Sequence, residues 1–71
     1  MHLDLRGVRC PLNWAKARVQ LEQMQPGAQL VLLLDDPRAV RDLPRAAEAC
    51  GYVLAGMQEV AAGLWRVEIL R

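Results

Sequence analysis

The sequence predicts an α/β fold, more narrowly an α+β two-layer sandwich in which two helices cover one face of a four-stranded mixed sheet. Two features carry this prediction. Four short apolar segments have strand patterns, and the longer segments between the first three carry apolar residues at helical spacing, which gives the order β-α-β-α-β-β. A strand, a crossover helix and a second strand normally form a right-handed parallel unit, and the last two strands can form an antiparallel hairpin.

The first strand and the first helix are predicted between the start of the sequence and Gly27. Leu3 to Leu5 alternates apolar and polar residues, which indicates a short strand that ends before Gly7. Pro11 suits the first helical position, because the N–H group that proline lacks has no partner there in any helix. Pro26-Gly27 ends the helix. Its apolar stripe, at spacings of three and four residues, consists of Trp14, Ala17, Leu21 and Met24.

A continuous apolar run, Leu30 to Leu34, predicts a central strand. The helix that follows is harder to place, because a proline deep inside a helix removes a hydrogen bond and clashes with the preceding turn. Pro44 therefore indicates a late start. We expect a turn over Pro37–Arg41 and a helix over residues 43–50, with Asp42 as its N-cap. The apolar face of this helix is expected to consist of Val40, Leu43, Ala47 and Cys50.

Two strands joined by a tight turn are predicted at the end of the sequence. Gly51, in the left-handed conformation, is expected to close the second helix. Tyr52 to Glu59 indicates a third strand, interrupted at Gly56, and Ala61-Ala62-Gly63 indicates the turn. Leu64 to Leu70 alternates apolar and charged residues, which is the pattern of a strand with one buried face.

Composition and charge exclude several classes of protein. At 71 residues we expect one domain, residues 1–71, and 54% hydrophobic with 24% charged residues excludes a disordered segment. A net charge of +1 gives no overall attraction to nucleic acid or to an anionic membrane. The apolar runs are far shorter than the roughly 20 residues of a membrane helix. Charged residues near the start are unlike the apolar core of a signal peptide, so we expect a soluble cytoplasmic protein.

The two cysteines, Cys10 and Cys50, are too few for the disulfide framework of a small secreted protein. In a reducing compartment we expect one reactive thiol and one buried core thiol, and the position of Cys50 on an apolar helix face makes it the core thiol. Since His2 is the only histidine, the sequence lacks the ligands for a tetrahedral zinc site, and we expect no bound metal.

The candidate site lies in the loops after the first two strands. Loops that follow parallel strands emerge at the same edge of a sheet, where open α/β sheets usually carry their sites. This edge is expected to hold Arg9-Cys10-Pro11 and Asp35-Asp36-Pro37. At a helix start, unpaired N–H groups and the helix dipole favour the thiolate of Cys10, and Arg6 and Arg9 add positive charge. The alternative is that Cys10 is only a small residue tolerated at a cap.

The other polar and aromatic candidates have simpler explanations. Asp35 and Asp36 could act as paired carboxylates in acid–base catalysis, but a turn and helix-cap role fits their position better. Trp14 and Trp65 are expected in or near the core. Three arginines near the second loop are expected to form a solvated face, or to steer an acidic partner or tRNA: Arg38, Arg41 and Arg45.

Two motifs resemble those of the TusA/SirA-like sulfur-carrier proteins. Residues 3–13, Leu-Asp-Leu-Arg-Gly-Val-Arg-Cys-Pro-Leu-Asn, are similar to the family's Leu-Asp-x-Arg-Gly strand followed by Cys-Pro. Residues 35–44, Asp-Asp-Pro-Arg-Ala-Val-Arg-Asp-Leu-Pro, are similar to its Asp-Asp-Pro motif followed by Asp-Ile-Pro. Gly51 and a closing strand that ends in a basic residue, Arg71, also fit. The resemblance therefore covers nearly the whole sequence.

The resemblance implies a sulfur carrier that works with partner enzymes and requires no cofactor. In the family, the cysteine that corresponds to Cys10 accepts sulfane sulfur as a persulfide from a cysteine desulfurase or a rhodanese, and passes it to an acceptor protein. Destinations in the family include tRNA thiolation, molybdenum-cofactor maturation and sulfur oxidation. We interpret Cys10 as the carrier residue. The residues expected to support it are Arg9, Pro11, Asn13, Asp35 and Asp36.

Two positions depart from the family pattern. Many members carry a second proline in a Cys-Pro-x-Pro motif, where this sequence has Asn13. As the third helical residue, Asn13 can reach back to the cap backbone as in a capping box, and the departure bears on the acceptor pathway. The family's common Gly-His near the third strand is Gly51-Tyr52 here, so no histidine is available for proton transfer at that position.

Two other functions stay open from the sequence. A nucleic-acid-binding module has a similar element order, although near-neutral charge and the lack of interleaved aromatic residues argue against it. A thiol–disulfide regulator would pair Cys10 with Cys50, which needs Cα atoms within about 7 Å. Because Leu30 to Leu34 has no polar residue, we also expect the sheet face away from the helices to support partner docking or weak self-association of a monomer.

Overall fold

A computed structural model describes residues 1–71 and confirms the predicted fold and the order of its elements. The six elements are β1 (His2–Asp4), α1 (Leu12–Gln23), β2 (Gln29–Leu34), α2 (Pro37–Ala49), β3 (Val53–Ala61) and β4 (Leu64–Leu70). The strands form one sheet in the order β1-β2-β4-β3, in which β1 and β2 are parallel and the other neighbours are antiparallel. Neither helix has the length and apolar character that a membrane crossing requires.

One face of the sheet carries the core. Along β2, fully buried side chains alternate with more exposed ones, because successive side chains of a strand point to opposite faces. The buried set packs together with residues of both helices into one cluster. The buried apolar residues of this cluster are Leu5, Ala17, Leu21, Met24, Leu30, Leu32, Leu34, Ala39, Leu43, Ala47, Val67 and Ile69.

The opposite face of the sheet is less apolar than expected. On β2 it carries Val31 and Leu33, which are half-buried. Their partners across the ladder to β4 are Glu68 and Arg66, and these two charged side chains form an ion pair at 2.6 Å. A charged pair therefore interrupts the apolar residues of this face. Docking or self-association on it stays a prediction.

Helix α2 starts at Pro37, not at residue 43 as predicted. Asp36 is its N-cap and Pro37 occupies the first helical position, where proline costs no hydrogen bond. Pro44 lies inside the helix and is buried. The predicted turn and the predicted cap at Asp42 are wrong. Burial of the apolar face of α2 against the sheet offsets the cost of about 3 kcal/mol that an internal proline brings.

Cys50 is exposed, so its prediction as a buried core thiol is wrong. It is the C-cap residue of α2, one position beyond the last helical residue. The apolar face of α2 that is buried ends at Ala47. Because the helix ends at Ala49, the helical spacing that placed Cys50 on this face does not extend to it.

Smaller differences concern the ends of other elements. The bounds of β1 and β3 differ by one or two residues from the predicted Leu3–Leu5 and Tyr52–Glu59. Pro11 is the N-cap of α1, immediately before the helix, rather than its first residue. Gly51 has a φ of +88°, as predicted for the residue that closes α2, and Gly63 in the β3–β4 turn has a φ of +73°.

Arg71, the residue after β4, binds the C-terminal end of α1. The Arg71 guanidinium donates hydrogen bonds to the carbonyl oxygens of Glu22 and Met24. Carbonyl groups at a helix C-terminus have no partner within the helix, and a cation there also compensates the negative end of the helix dipole. This contact joins the C-terminal end of α1 to the residue that follows β4.

Candidate functional site

The loops after β1 and β2 meet at one edge of the sheet and form an open cleft of about 520 Å³. Its lining consists of Gly7, Val8, Arg9, Cys10, Asp35, Asp36, Pro37 and Arg38. The parallel β1-α1-β2 unit brings these two loops to the same edge. Four of the predicted site residues thus line one cleft, and the other two, Pro11 and Asn13, follow in the same loop and the first turn of α1.

Two carboxylates tie the Cys10 loop to the start of α2. The Cys10 N–H donates to Asp36 Oδ2 at 2.8 Å, and the Arg38 N–H donates to Asp36 Oδ1 at 2.9 Å. Asp35 accepts the N–H of Gly7 at 2.9 and 3.1 Å. The hydrogen bond from Cys10 and then that from Arg38 lower the pKa of Asp36, so this carboxyl is ionised at neutral pH. Both carboxylates therefore hold the backbone of the loops after β1 and β2 in position.

Cys10 lies just before α1, and its side chain is half-buried. The Cys10–Pro11 peptide bond is cis. At the start of the helix, the Asn13 N–H donates to the Arg9 carbonyl at 3.1 Å, whereas the Leu12 N–H has no acceptor within the protein. The Cys10 N–H itself is occupied by Asp36, as described above.

Asn13 is completely buried, and its side chain braces the start of α1. Its Nδ2 donates to the Val8 carbonyl at 3.3 Å, and its Oδ1 accepts the Trp14 N–H at 2.8 Å. The predicted reach back to the preceding loop thus ends on a carbonyl oxygen, not on a cap N–H as in a capping box. In the first turn of α1, the N–H group without an acceptor is that of Leu12.

Arg6, expected to add positive charge beside Cys10, is bound to Asp4. The two side chains form an ion pair at 2.7 Å, and Arg6 donates to Asp4 from its side chain and its backbone. These hydrogen bonds lower the pKa of Asp4 to about 2. The neighbouring Asp4 carboxylate therefore compensates the positive charge of Arg6.

Two other arginines supply positive charge beside Cys10. Arg9 and Arg38 are exposed, line the cleft and have no carboxylate within 4 Å. Arg41, one turn into α2, is paired with the Asp42 carboxylate at 2.9 Å, and this contact raises the pKa of the Arg41 guanidinium. Arg9 and Arg38 are therefore the unpaired cations of the cleft.

Cys10 and Cys50 lie near opposite ends of α2. The Cys10 N–H contacts Asp36 at the start of this helix, and Cys50 caps its other end. A helix of 13 residues is about 20 Å long, which places the two cysteines well beyond the Cα separation of about 7 Å that a disulfide allows. Both thiols are free. A regulator built on a disulfide between them is excluded.

The three aromatic side chains do not form an exposed row. Trp14 meets Tyr52 edge to face, with ring centroids 6.4 Å apart, and Trp65 is half-buried. Binding of single-stranded nucleic acid uses successive exposed rings. No group of three or more His, Cys, Asp and Glu side chains converges as a metal site.

Comparison with known proteins finds relatives of this chain in sequence and in fold. The family model for sulfurtransferase TusA matches residues 1–71. A candidate sulfur carrier protein of Archaeoglobus fulgidus is 34% identical over 67 residues, which cover 94% of this chain and 76% of that protein. A candidate sulfur carrier protein of Thermotoga maritima is 28% identical over 67 residues, which cover 94% of this chain and 85% of that protein. The crystal structure of a SirA-like protein from Desulfitobacterium hafniense has a TM-score of 0.83 at 27% identity and covers 97% of this chain and 93% of its own. The chain belongs to the TusA family of sulfurtransferases.

Proposed function

We propose that the protein carries sulfur as a persulfide on Cys10 and relays it from a donor protein to an acceptor protein. Membership of the TusA family and two relatives described as candidate sulfur carriers support a sulfur-carrier role. The observation that carries the assignment to Cys10 is a free, half-buried thiol in an open cleft at the edge of the sheet. An edge position lets two different proteins reach the same sulfur in turn.

The transfer is an exchange between sulfur atoms. The Cys10 thiolate attacks the outer sulfur of a persulfide on the donor protein. A new S–S bond forms on Cys10, the S–S bond of the donor breaks, and the donor cysteine leaves as a thiolate. A thiolate of the acceptor then attacks the outer sulfur on Cys10, and Cys10 leaves as a thiolate. Each step makes one S–S bond and breaks one, so the exchange involves no net oxidation.

Residues around the cleft hold Cys10 and stabilise its negative forms. Asp36 fixes the Cys10 backbone through its N–H. Arg9 and Arg38 line the cleft beside the sulfur and have no carboxylate within 4 Å. The outer sulfur of a persulfide is more acidic than a thiol, and nearby cations favour its anion as they favour a thiolate. Arginines therefore suit both the loaded and the unloaded carrier.

The partners follow from the same chemistry. The donor is a protein that forms a cysteine persulfide, which points to a cysteine desulfurase or a rhodanese, and the acceptor is a downstream sulfur-acceptor protein. Pro11, exposed beside Cys10, and Asn13, buried beneath the loop, shape the surface that both partners meet. Residues 1–71 act as one domain in this proposal. No cofactor takes part on the carrier itself.

The test of the Cys10 assignment is the intact mass of the reduced protein after incubation with a sulfur donor. The donors are the cysteine desulfurase of the same organism with cysteine, and its rhodanese with thiosulfate. We expect the wild type to gain one sulfur atom that a reductant removes, and Cys10→Ser to gain none. The Cys10 side chain makes no hydrogen bond in the structure, so a serine of similar size should keep the fold.

Cys50→Ser is the matched control. Its side chain is exposed at the end of α2, and a surface substitution of this kind changes stability by no more than about 0.5 kcal/mol. We expect it to gain sulfur like the wild type. Equal labelling of Cys10→Ser and the wild type, or loss of labelling in Cys50→Ser with its circular dichroism spectrum unchanged, would contradict the assignment.

A further inference from the structure

Strand β3 is an uncovered edge of the sheet. In the order β1-β2-β4-β3 it pairs with β4 alone, and no residue of β3 takes part in the backbone hydrogen bonds of the turns, loops and caps. On its other side, the N–H and C=O groups that point away from β4 therefore have no partner within the protein. Such a row of backbone groups is a template on which another strand can pair.

The two edges of the sheet differ in their protection against such pairing. β1, at the other edge, has three residues, of which His2 and Asp4 are polar. β3 has nine residues and contains neither lysine nor proline, the residues with which edge strands commonly exclude a partner. Its one charged residue is Glu59, whose carboxylate accepts the N–H of Gly63 in the adjoining turn at 3.2 Å. Side-chain charge thus protects β1 more than β3.

Two bulges restrict where a partner can pair with β3. The register against β4 shifts between Leu54 and Gly56 and again between Glu59 and Ala61, and bulges bend an edge strand. Between them, residues 56–59 follow the ladder without a break. Three of the six large apolar side chains exposed on the protein belong to β3, namely Val53, Met57 and Val60. The free edge is therefore apolar but regular only in its middle, which suits a weak contact.

The sequence of β3 fits a second, antiparallel copy of itself. A twofold axis at Met57, the middle residue of β3, places Met57 opposite Met57 and Glu59 opposite Ala55 of the second copy. Apolar side chains then meet at the axis, and no like charges face each other. A shift of the axis by one residue in either direction would place Glu59 opposite an apolar side chain, Val53 or Met57. The strand therefore favours one register.

We propose that β3 pairs antiparallel with β3 of a second copy of this chain, about a twofold axis at Met57, and that two four-stranded sheets thereby form one continuous sheet. A contact along one short strand belongs to the smallest interfaces, below roughly 1,200 Å², so the dimer forms at high protein concentration. No residue of β3 lines the Cys10 cleft. The proposal is therefore independent of the proposed function.

The test is sedimentation equilibrium of the reduced protein over a series of concentrations up to about 1 mM, the range in which a small interface associates. The reductant excludes dimers linked through Cys10 or Cys50. Met57→Lys places two lysines side by side at the axis. Its control, Val19→Lys, adds the same charge at a residue of α1 that is 57% exposed. We expect the wild type and Val19→Lys to dimerise alike, and Met57→Lys to raise the dissociation constant by roughly tenfold or more.

Substitutions at Ala55 test the register. Ala55 is exposed and has no partner on β4, so a new side chain there breaks no pair within the chain. In the proposed dimer, Ala55→Lys faces Glu59 of the second copy with the opposite charge, and Ala55→Glu faces it with the same charge. At low ionic strength we expect Ala55→Lys to lower the dissociation constant by about threefold and Ala55→Glu to raise it by about threefold. Salt should reduce both effects.

A protein that has the mass of the monomer at every concentration would overturn the proposal. An equal dissociation constant for Met57→Lys and the wild type, or a dimer that Val19→Lys weakens as much as Met57→Lys does, would overturn it too, because the contact would then lie on another surface. Equal effects of Ala55→Lys and Ala55→Glu would exclude the register about Met57. If the circular dichroism spectrum shows that Met57→Lys does not fold, the two Ala55 variants decide.

Discussion

At the scale of single residues, one carboxylate joins the two sequence motifs of the site. Asp36 accepts the Cys10 N–H with one oxygen and the Arg38 N–H with the other, so the Cys10 loop and the cap of α2 share a side chain. Asn and Ser cap helices about as well as Asp. Neither offers two acceptor oxygens on one rigid planar group. The shared contact explains why an aspartate stands at this cap.

Replacement of Asp36 by asparagine separates the two contacts. In Asp36→Asn, the side-chain oxygen can still accept the Arg38 N–H and cap α2, but the amide nitrogen is a donor and cannot accept the Cys10 N–H. We expect amide hydrogen exchange at Cys10 to become at least about tenfold faster, since its hydrogen bond is lost. Exchange at Gly7, whose N–H is held by Asp35, serves as the internal control. Unchanged protection of the Cys10 amide would contradict this role of Asp36.

Asn13 is the residue at which the loop departs from the Cys-Pro-x-Pro pattern. Its backbone N–H donates to Arg9, and its side chain contacts Val8 and the Trp14 N–H. A proline at this position has no N–H and no polar side chain, so it can make none of these contacts. The loop in this protein is therefore held by hydrogen bonds where the family pattern uses a second proline.

At the scale of the elements, the residue at which α2 begins determines whether Asp36 or Asp42 is its N-cap. Asp36→Ala removes the acceptor of the Arg38 and Cys10 N–H groups. Asp42→Ala removes only an exposed ion pair with Arg41, a kind of contact that contributes little in water. In urea unfolding we expect a clearly lower midpoint for Asp36→Ala and a nearly unchanged midpoint for Asp42→Ala. The reverse order would indicate a helix that starts near residue 43.

The elements show where sequence patterns suffice and where they do not. The alternation of apolar and charged residues in β4 and the continuous apolar run in β2 identify these two segments as strands. Both strands bury every second residue. The start of α2 could not be predicted in this way. The rule against prolines inside helices considers only the hydrogen bond and the clash at the proline itself. The first turn of α2 is instead stabilised by a tertiary contact, the burial of Ala39 in the core. Cys50 was wrongly placed on the buried face of α2 for a related reason, because the spacing of apolar residues does not show at which residue the helix ends.

At the scale of the whole molecule, topology predicts the site better than local sequence does. The parallel β1-α1-β2 unit requires the loops with Cys10 and Asp36 to share an edge, and the cleft lies there. The spacing of residues in the sequence does not specify which N–H group donates to which oxygen, because this depends on atomic positions in the folded protein. The residues that line the cleft were therefore predictable, and its hydrogen bonds were not.

Acid stability also belongs to the whole molecule, because three carboxyl groups in different elements act in the same direction. The Arg6 hydrogen bonds lower the pKa of Asp4 from 3.8 to about 2. The Cys10 N–H lowers the pKa of Asp36, and the Arg41 hydrogen bond lowers that of Asp42. A group whose pKa is lower in the folded than in the unfolded protein binds fewer protons when folded. Its contribution to stability is present above the unfolded pKa and is lost as pH falls through the folded one.

We therefore expect the free energy of unfolding to be nearly constant above about pH 5 and to fall as the pH is lowered from about 4 to about 2. The measurement is urea unfolding at a series of pH values. Asp36→Asn should make this fall shallower. Asp4→Asn should do so mainly at low ionic strength, because the ion pair of Asp4 with Arg6 is half-exposed on both sides, and salt screens such pairs. A free energy of unfolding that rises as the pH falls below 4 would mean that these carboxyl groups do not stabilise the folded chain through their ionised forms.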